Sequence, residues 1–234
     1  MQNRYVGHPK KRQSCRLCGM KILLFGATGS AGAAVLEACL AAPRVTEVRA
    51  IARRGLMQTD AKLRTFVHKD FLDYSTVEEA FRGVDVCLFC LGISVTQVSK
   101  EEYRTITYSY TLAAANMLKR CSPEAYFHYI SGKGTSAKNK MFWSQVKAQV
   151  EADLIALMGA NCFRPGFIDA KPKASLPKVY AALYPLGKLF KLIPGLYVTG
   201  RELGNGMLQA AVEGARGKIF ENGEIRELAG RFKV

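Results

Sequence analysis

Three glycines stand at every third position in Gly26-Ala27-Thr28-Gly29-Ser30-Ala31-Gly32, directly after the apolar run at residues 22–25. This spacing suits a main chain that grips a diphosphate. The first glycine permits a tight turn, the second lets phosphates approach the backbone, and the third allows the next helix to pack close to the strand. A helix opening at Ser30 then presents unpaired N–H groups and positive potential to the anion. Gly26, Thr28, Gly29, Ser30, Ala31 and Gly32 are therefore the candidate contacts of a dinucleotide. A glycine triplet alone is a weak signal, but at a strand–helix junction near the start of a domain it is specific. The alternative is a glycine-rich turn with no ligand.

Later stretches suit the rest of such a ligand. Residues 45–52, rich in β-branched side chains, run into Arg53-Arg54 without a carboxylate. An acid there reads a free ribose, whereas arginine accommodates a 2′-phosphate through bidentate, charge-assisted contacts. Arg53 and Arg54 thus favour NADP while leaving NAD possible; plain surface charge is the alternative. In His68-Lys69-Asp70-Phe71, Asp70 can accept from an adenine amino group and Phe71 can cover the ring. The alternative is an ordinary turn capped by the aspartate. Cys90-Leu91-Gly92 closes another apolar run where the cofactor would pass. Gly92 permits close approach there, and Cys90 borders the cleft.

These groups need a scaffold that brings strand ends together. Strand-like runs fall at 22–25, 45–52, 65–68, 84–91, 125–131 and from 162. Helix-like runs fall between them at 30–42, 76–81, 99–119 and 138–157. Ser75 or Thr76 can cap the second of these helices. In the third, Glu101 and Glu102 come early and Lys119 and Arg120 late, matching the helix dipole. Regular alternation calls for an α/β doubly wound parallel sheet, with the ligand site at the carboxyl ends of its strands. Beyond Pro165 the character changes: residues 170–196 contain four prolines, many lysines and several aromatics. Leu176, Tyr180, Leu183, Tyr184, Leu189 and Phe190 can line one helical face. A small C-terminal helical cap over the cleft, at about 167–200, is favoured over a basic amphipathic segment on a membrane surface. A helix at 202–213 and a strand at 218–221 complete the domain, which spans residues 20–234.

The chain has 234 residues, 49% apolar and 23% charged, enough for one sizeable core. That excludes a disordered chain and a coiled coil, and no apolar stretch reaches the roughly 18 residues of a spanning helix. Lys and Arg number 34 against 19 acids, for a net charge of +15. The basic residues are diffuse, and no nucleic-acid-binding signature accompanies them. Residues 1–19, with Arg4, Lys10, Lys11, Arg12 and Arg16 and no acid, read as a tail outside the fold. The seven cysteines read as reduced thiols of a cytoplasmic protein. Cys15 and Cys18 lack a second ligand pair, and Cys87 and Cys90 point to opposite faces of one strand, so no metal site is expected. His128, inside an apolar strand, reads as structural.

Taken together, Leu23-Leu24-Phe25-Gly26-Ala27-Thr28-Gly29, His68-Lys69-Asp70-Phe71-Leu72-Asp73 and Phe163-Arg164-Pro165-Gly166-Phe167 resemble the short-chain dehydrogenase/reductase superfamily of the atypical or extended kind. They are most similar to its bacterial NAD-dependent epimerase/dehydratase-like branch. The resemblance covers nearly all of residues 20–230 and implies a Rossmann fold. It also implies a catalytic set: a Ser ending the fifth strand, where Ser131 stands, and a Tyr-x-x-x-Lys on the next helix. Lys147 matches the Lys and would hold the nicotinamide ribose. Pro165 and Gly166 would shape the nicotinamide end. The Tyr position holds Trp143, whose indole N–H donates but cannot serve as a general acid. A proton for carbonyl reduction would then come from water, Ser131, Tyr108 or Tyr110. The expected function is NAD(P)-dependent reduction of a small carbonyl or sugar-like substrate by a monomer or homodimer. A catalytically silent NAD(P)(H)-binding sensor or scaffold is the alternative.

Overall fold

The computed structural model describes residues 19–170, 190–191, 193 and 195–233. Its strands are β1 (Met20–Phe25), β2 (Val45–Ala52), β3 (Leu63–Val67), β4 (Val86–Phe89), β5 (Tyr126–Ile130), β6 (Asn161–Arg164), β7 (Phe167–Asp169), β8 (Tyr197–Thr199) and β9 (Ile219–Glu221). Seven of them form one sheet in the order β3-β2-β1-β4-β5-β6-β9, and every pairing is parallel. β7 and β8 make a separate parallel pair. The helices are α1 (Ser30–Ala41), α2 (Lys100–Arg104), α3 (Tyr110–Cys121), α4 (Phe142–Met158), α5 (Gly200–Val212) and α6 (Asn222–Arg231). No helix among the described residues is long and apolar enough to cross a membrane.

Strand alternation builds two apolar layers, one on each side of the sheet. Ile22, Leu24 and Leu88 face α1, α5 and α6, where they meet Val35, Leu203, Met207 and Ile225. Leu23, Phe25, Cys87 and Phe89 face α3 and α4, meeting Leu118, Val150 and Leu154. Burial on both faces explains the continuous apolar runs in the central strands. The chain steps outward from β1 through β2 to β3 and then returns to β4 on the other side of β1. The carboxyl ends of β1 and β4 therefore flank the switch point, where an open α/β sheet leaves a crevice.

The expected order of elements holds, with local corrections. The segment at 76–81 is a 3₁₀ helix (Ser75–Phe81) without a side-chain cap. Ser75 instead donates its N–H and hydroxyl to Asp73. The long helix around 99–119 runs as α2, a π turn (Thr105–Ser109) and α3, with Ser99 as its N-cap. α4 begins at Phe142 rather than 138. Ser144 and Asn139 side chains hold residues 134–141 in turns by bonding Gly134, Ser136 and Met141 backbone groups. The β7–β8 pair and α6 have no counterpart in the sequence-based reading. Of the expected apolar face at 176–190 only Phe190 is described, at 6.1 Å from the Phe167 ring; Cys15 and Cys18 also lie outside the described residues.

α5 crosses α1 through small residues. A Cβ on Gly200 would fall 2.3 Å from the Ala34 Cβ, and one on Gly204 2.6 Å from the Ala38 Cβ. Gly204→Ala should therefore force the helices apart and cost about 1–3 kcal/mol. A fall in the urea midpoint at unchanged slope checks this; an unaltered midpoint would show that the crossing yields freely.

Candidate functional site

At the switch point the glycine loop is built from close main-chain contacts. Gly26 has φ +76°, and a Cβ there would lie 2.5 Å from the Cys90 carbonyl oxygen. A Cβ on Gly32 would lie 2.1 Å from the Gly26 carbonyl oxygen. Both positions thus require glycine for packing. Gly29 differs: it is exposed beside Thr28, and its Cβ would meet only the Gly26 carbonyl oxygen, at 3.3 Å. Gly29 caps α1 with no side-chain bond, and no acid stands in the first turn at Ser30 and Ala31. The helix's N-terminal N–H groups are left for an external anion. That open cradle fits a diphosphate.

Beyond the loop the described residues diverge in character. The Cys90 N–H bonds the Phe25 carbonyl. Burial raises the Cys90 thiol well above its ordinary value, which leaves it inert. Leu91 is half-buried, and Gly92 is exposed with no atom within 4 Å of a built Cβ. Arg53 and Arg54 are exposed just past the end of β2. Asp70 accepts from the N–H groups of Leu72 and Asp73, the aspartate-capped turn that was the alternative for it. Phe71 packs beside Phe25 and Tyr74 at 4% exposure, so its ring offers no free face to a base.

The residues expected at a reacting end gather at β5, α4 and β6. Ser131 is buried, its N–H bonded to the Phe163 carbonyl. Thr135 donates to the Gly132 carbonyl at 2.8 Å, so in the 3.1 Å Ser131–Thr135 contact the serine hydroxyl is the donor. The serine lone pairs remain free to accept. One turn after Trp143, half-buried Lys147 donates Nζ to the carbonyls of Ser131 (2.7 Å) and Ile130 (3.4 Å). Burial pulls this ammonium down to about 8, with the charge of Glu151 pulling the other way. The Trp143 ring lies against the loop after Ser131, 4.0 Å from a Cβ built on Gly132 and 3.9 Å from one on Gly134. Tyr108 donates to Asp153 (2.8 Å), and Tyr110 packs against Phe71. His128 is buried, accepts from Asn161 and is pulled to about 3 by burial, so it stays neutral.

Three contributors escaped the sequence reading. Thr135 orients Ser131. Glu151, at 3% exposure, forms a paired contact with Arg164 (2.9 and 2.6 Å), which also meets Glu221 (3.1 Å). Its position four residues after Lys147 on one helix face was a usable signal. Asn222 accepts from the Gly166 N–H (2.8 Å) and donates to the Tyr197 carbonyl (2.9 Å), joining the starts of β7 and β8. Nothing local in the sequence marks that role. The Pro165 carbonyl accepts from the Lys133 N–H (2.9 Å), tying the Pro165–Gly166 turn to the loop after Ser131.

A family model described as the NAD dependent epimerase/dehydratase family matches residues 22–148, from the first strand through Lys147. The HTATIP2 protein of Rattus norvegicus is 25% identical over 196 residues, covering 82% of this chain and 78% of that protein. The mitochondrial protein FMP52 of Eremothecium gossypii is 28% identical over 224 residues, covering 89% and 97%. Among solved structures, DesIV, a dTDP-glucose 4,6-dehydratase from Streptomyces venezuelae with NAD and TYD bound, aligns at a TM-score of 0.67 and 17% identity, covering 90% of this chain and 79% of that one. A short chain dehydrogenase from Burkholderia cenocepacia in complex with NADP aligns at 0.62 and 17%, covering 92% of each. At such identities these structures establish a shared fold.

The lowered value of Lys147 has a consequence for stability. Folded, the ammonium titrates near 8; in an unfolded chain it returns to about 10.5. Between those values the unfolded state binds more protons, so stability contributed by this group rises with pH. The wild type should gain on Lys147→Met between pH 8 and 10. Urea midpoints of both proteins at the two pH values provide the check, and a gap that stays constant or narrows contradicts it.

Proposed function

Because the chain belongs to the NAD dependent epimerase/dehydratase family, we propose that it binds NADP(H) and reduces a small carbonyl or sugar-like compound. The observation that carries this reading is the unclaimed N-terminus of α1 behind exposed Gly29, with Arg53 and Arg54 at the next strand end. Bound there, a nicotinamide would supply or accept a hydride at the substrate carbon. Main-chain amides after Gly29 would hold the diphosphate, and the two arginines the 2′-phosphate. Lys147 would reach the nicotinamide ribose from its seat on the Ser131 carbonyl. Ser131, its proton turned toward Thr135, would accept a hydrogen bond from a substrate hydroxyl or reverse its rotor to donate to a carbonyl. The cap at 167–200 would close the substrate side. We also assign the protein to the cytoplasm on the five free thiols among its described residues, although the FMP52 relatives are mitochondrial by name.

Trp143 favours a second reading. A general acid contributes about 10²–10⁴-fold to such a step, and indole cannot supply one. A protein that keeps its cofactor but has lost turnover, a sensor or scaffold, satisfies the same geometry.

Calorimetry should find NADPH bound at least about tenfold more tightly than NADH, the equivalent of one charge-assisted contact. Arg53→Ala with Arg54→Ala should level the two, and Gly29→Asp should abolish both by placing a carboxylate in the anion cradle. Equal wild-type affinities would refute the NADP preference; binding retained by Gly29→Asp would refute the cradle itself.

Turnover separates the two readings. With NADPH and a panel of carbonyls followed by absorbance, an enzyme consumes cofactor as wild type, and Trp143→Tyr raises kcat by about 10²-fold or more. Wild-type inactivity with activity in Trp143→Tyr selects the sensor.

A further inference from the structure

The net charge of +15 is unevenly placed. Residues 125–150 contain Lys133, Lys138, Lys140 and Lys147 and no acid. Residues 170–201 hold five lysines and Arg201, again with no acid, while the remainder of residues 20–234 is electrically balanced. The whole excess outside the N-terminal tail therefore sits in two runs. The second lies largely outside the described residues. The first covers β5, the connection at 131–141 and the first turns of α4; Lys133, Lys138 and Lys140 lie in the connection and Lys147 in α4.

That connection is held where a substrate would enter. The Lys133 N–H bonds the Pro165 carbonyl at 2.9 Å, seating the residue between Ser131 and the Pro165–Gly166 turn. A Cβ built on Gly195 would stand 4.0 Å from the Lys133 Nζ. Lys133, Lys138 and Lys140 are exposed, and Lys100 places its ammonium 5.7 Å from the Phe142 ring centre at the start of α4. Every ion pair among the described residues is made by an arginine, so none of these lysines is neutralised by a carboxylate. The loop after β4, residues 90–99, adds no acid. Clustered like charges at the mouth of a site raise the local concentration of oppositely charged ligand and orient it.

We propose that the β5–α4 connection is an anion-recognition site, in which Lys133, Lys138 and Lys140 hold a carboxylate or phosphate group of the molecule that reacts over Ser131 and Lys147. Reaction of that molecule rests on the oxidoreductase reading; the anion site rests on the placement of the lysines. A small acidic carbonyl or hydroxyl compound is the class of substrate that fits.

Trp143, the chain's single tryptophan, lies against Gly132 and Gly134 and reports on this loop. Full-length protein is titrated with inorganic pyrophosphate at fixed ionic strength while its emission is followed, both saturated with NADP⁺ and as Gly29→Asp without cofactor. Failure of NADP⁺ to bind would sink the oxidoreductase reading, yet the second titration would still test the lysines. A saturable emission change is expected in both. Its affinity should fall at least about fivefold in Lys133→Gln/Lys138→Gln/Lys140→Gln, the scale of several exposed ion pairs. Lys133→Gln alone should give a smaller loss, and adding Arg53→Ala and Arg54→Ala to the cofactor-free protein should change nothing. No saturable response, an unaltered affinity in the triple variant, or a loss on removing the arginines overturns the proposal. Vesicles of phosphatidylglycerol distinguish the source of the anion: a Trp143 response to them without one to pyrophosphate assigns the lysines to a lipid surface and also overturns it.

Discussion

The site depends on one steric constraint, the closeness of main chain to main chain where β1 ends. Gly26 lies so near the Cys90 carbonyl, and Gly32 so near the Gly26 carbonyl, that neither position has room for a Cβ. This contact draws the start of α1 down onto the ends of β1 and β4. It also aims the helix's free amides into the crevice that a doubly wound sheet leaves at its switch point. A larger residue at either position would lift the helix and turn those amides elsewhere. The cradle is made by backbone geometry, so its shape survives wide variation in the side chains around it.

The reacting end is organised by a different force, the burial of charge. Lys147 leaves water only because two carbonyls at the end of β5 receive its protons and Glu151 lies one turn away. Glu151 is in turn matched by Arg164, at the end of β6, and Arg164 by Glu221, at the end of β9. Three neighbouring strand ends are thereby linked through α4. Breaking the largely buried Arg164–Glu151 pair would leave an uncompensated charge, which makes that part of the arrangement stiff. Trp143 enters this frame as a large apolar body where a proton donor would stand. On the proposed reading, the frame that would position a cofactor is intact, while the group that would protonate its product is changed.

How much of this could be read beforehand depended on the range of the interaction. The glycine spacing, the apolar runs and the helix at 99–119 are local patterns, and they marked β1, α1, β2 and the long helix closely. The 138–157 helix begins only at Phe142 although Lys138, Lys140 and Met141 are good helix formers. The Ser144 hydroxyl, reaching back to Gly134 and Ser136, and the Asn139 amide turn them aside. Phe71 looked available to a base because sequence shows residue type and not which side of a strand end it falls on; Phe25 and Tyr74 enclose it. Asn222, more than fifty residues from Gly166, left no local trace at all.

By itself the sequence determined the alternation of strands and helices, the place of the diphosphate loop, the absence of the usual tyrosine and the acid-free run between β5 and α4. All are set by residue type and spacing along the chain. The tertiary structure alone decided that Thr135 turns the Ser131 proton, that Arg164 pairs with Glu151, and that Asn222 joins β7 to β8. The Arg164–Glu151 and Asn222 contacts need segments 13 to 56 residues apart to meet within hydrogen-bonding distance, and the Ser131–Thr135 contact needs the fold of the loop between them.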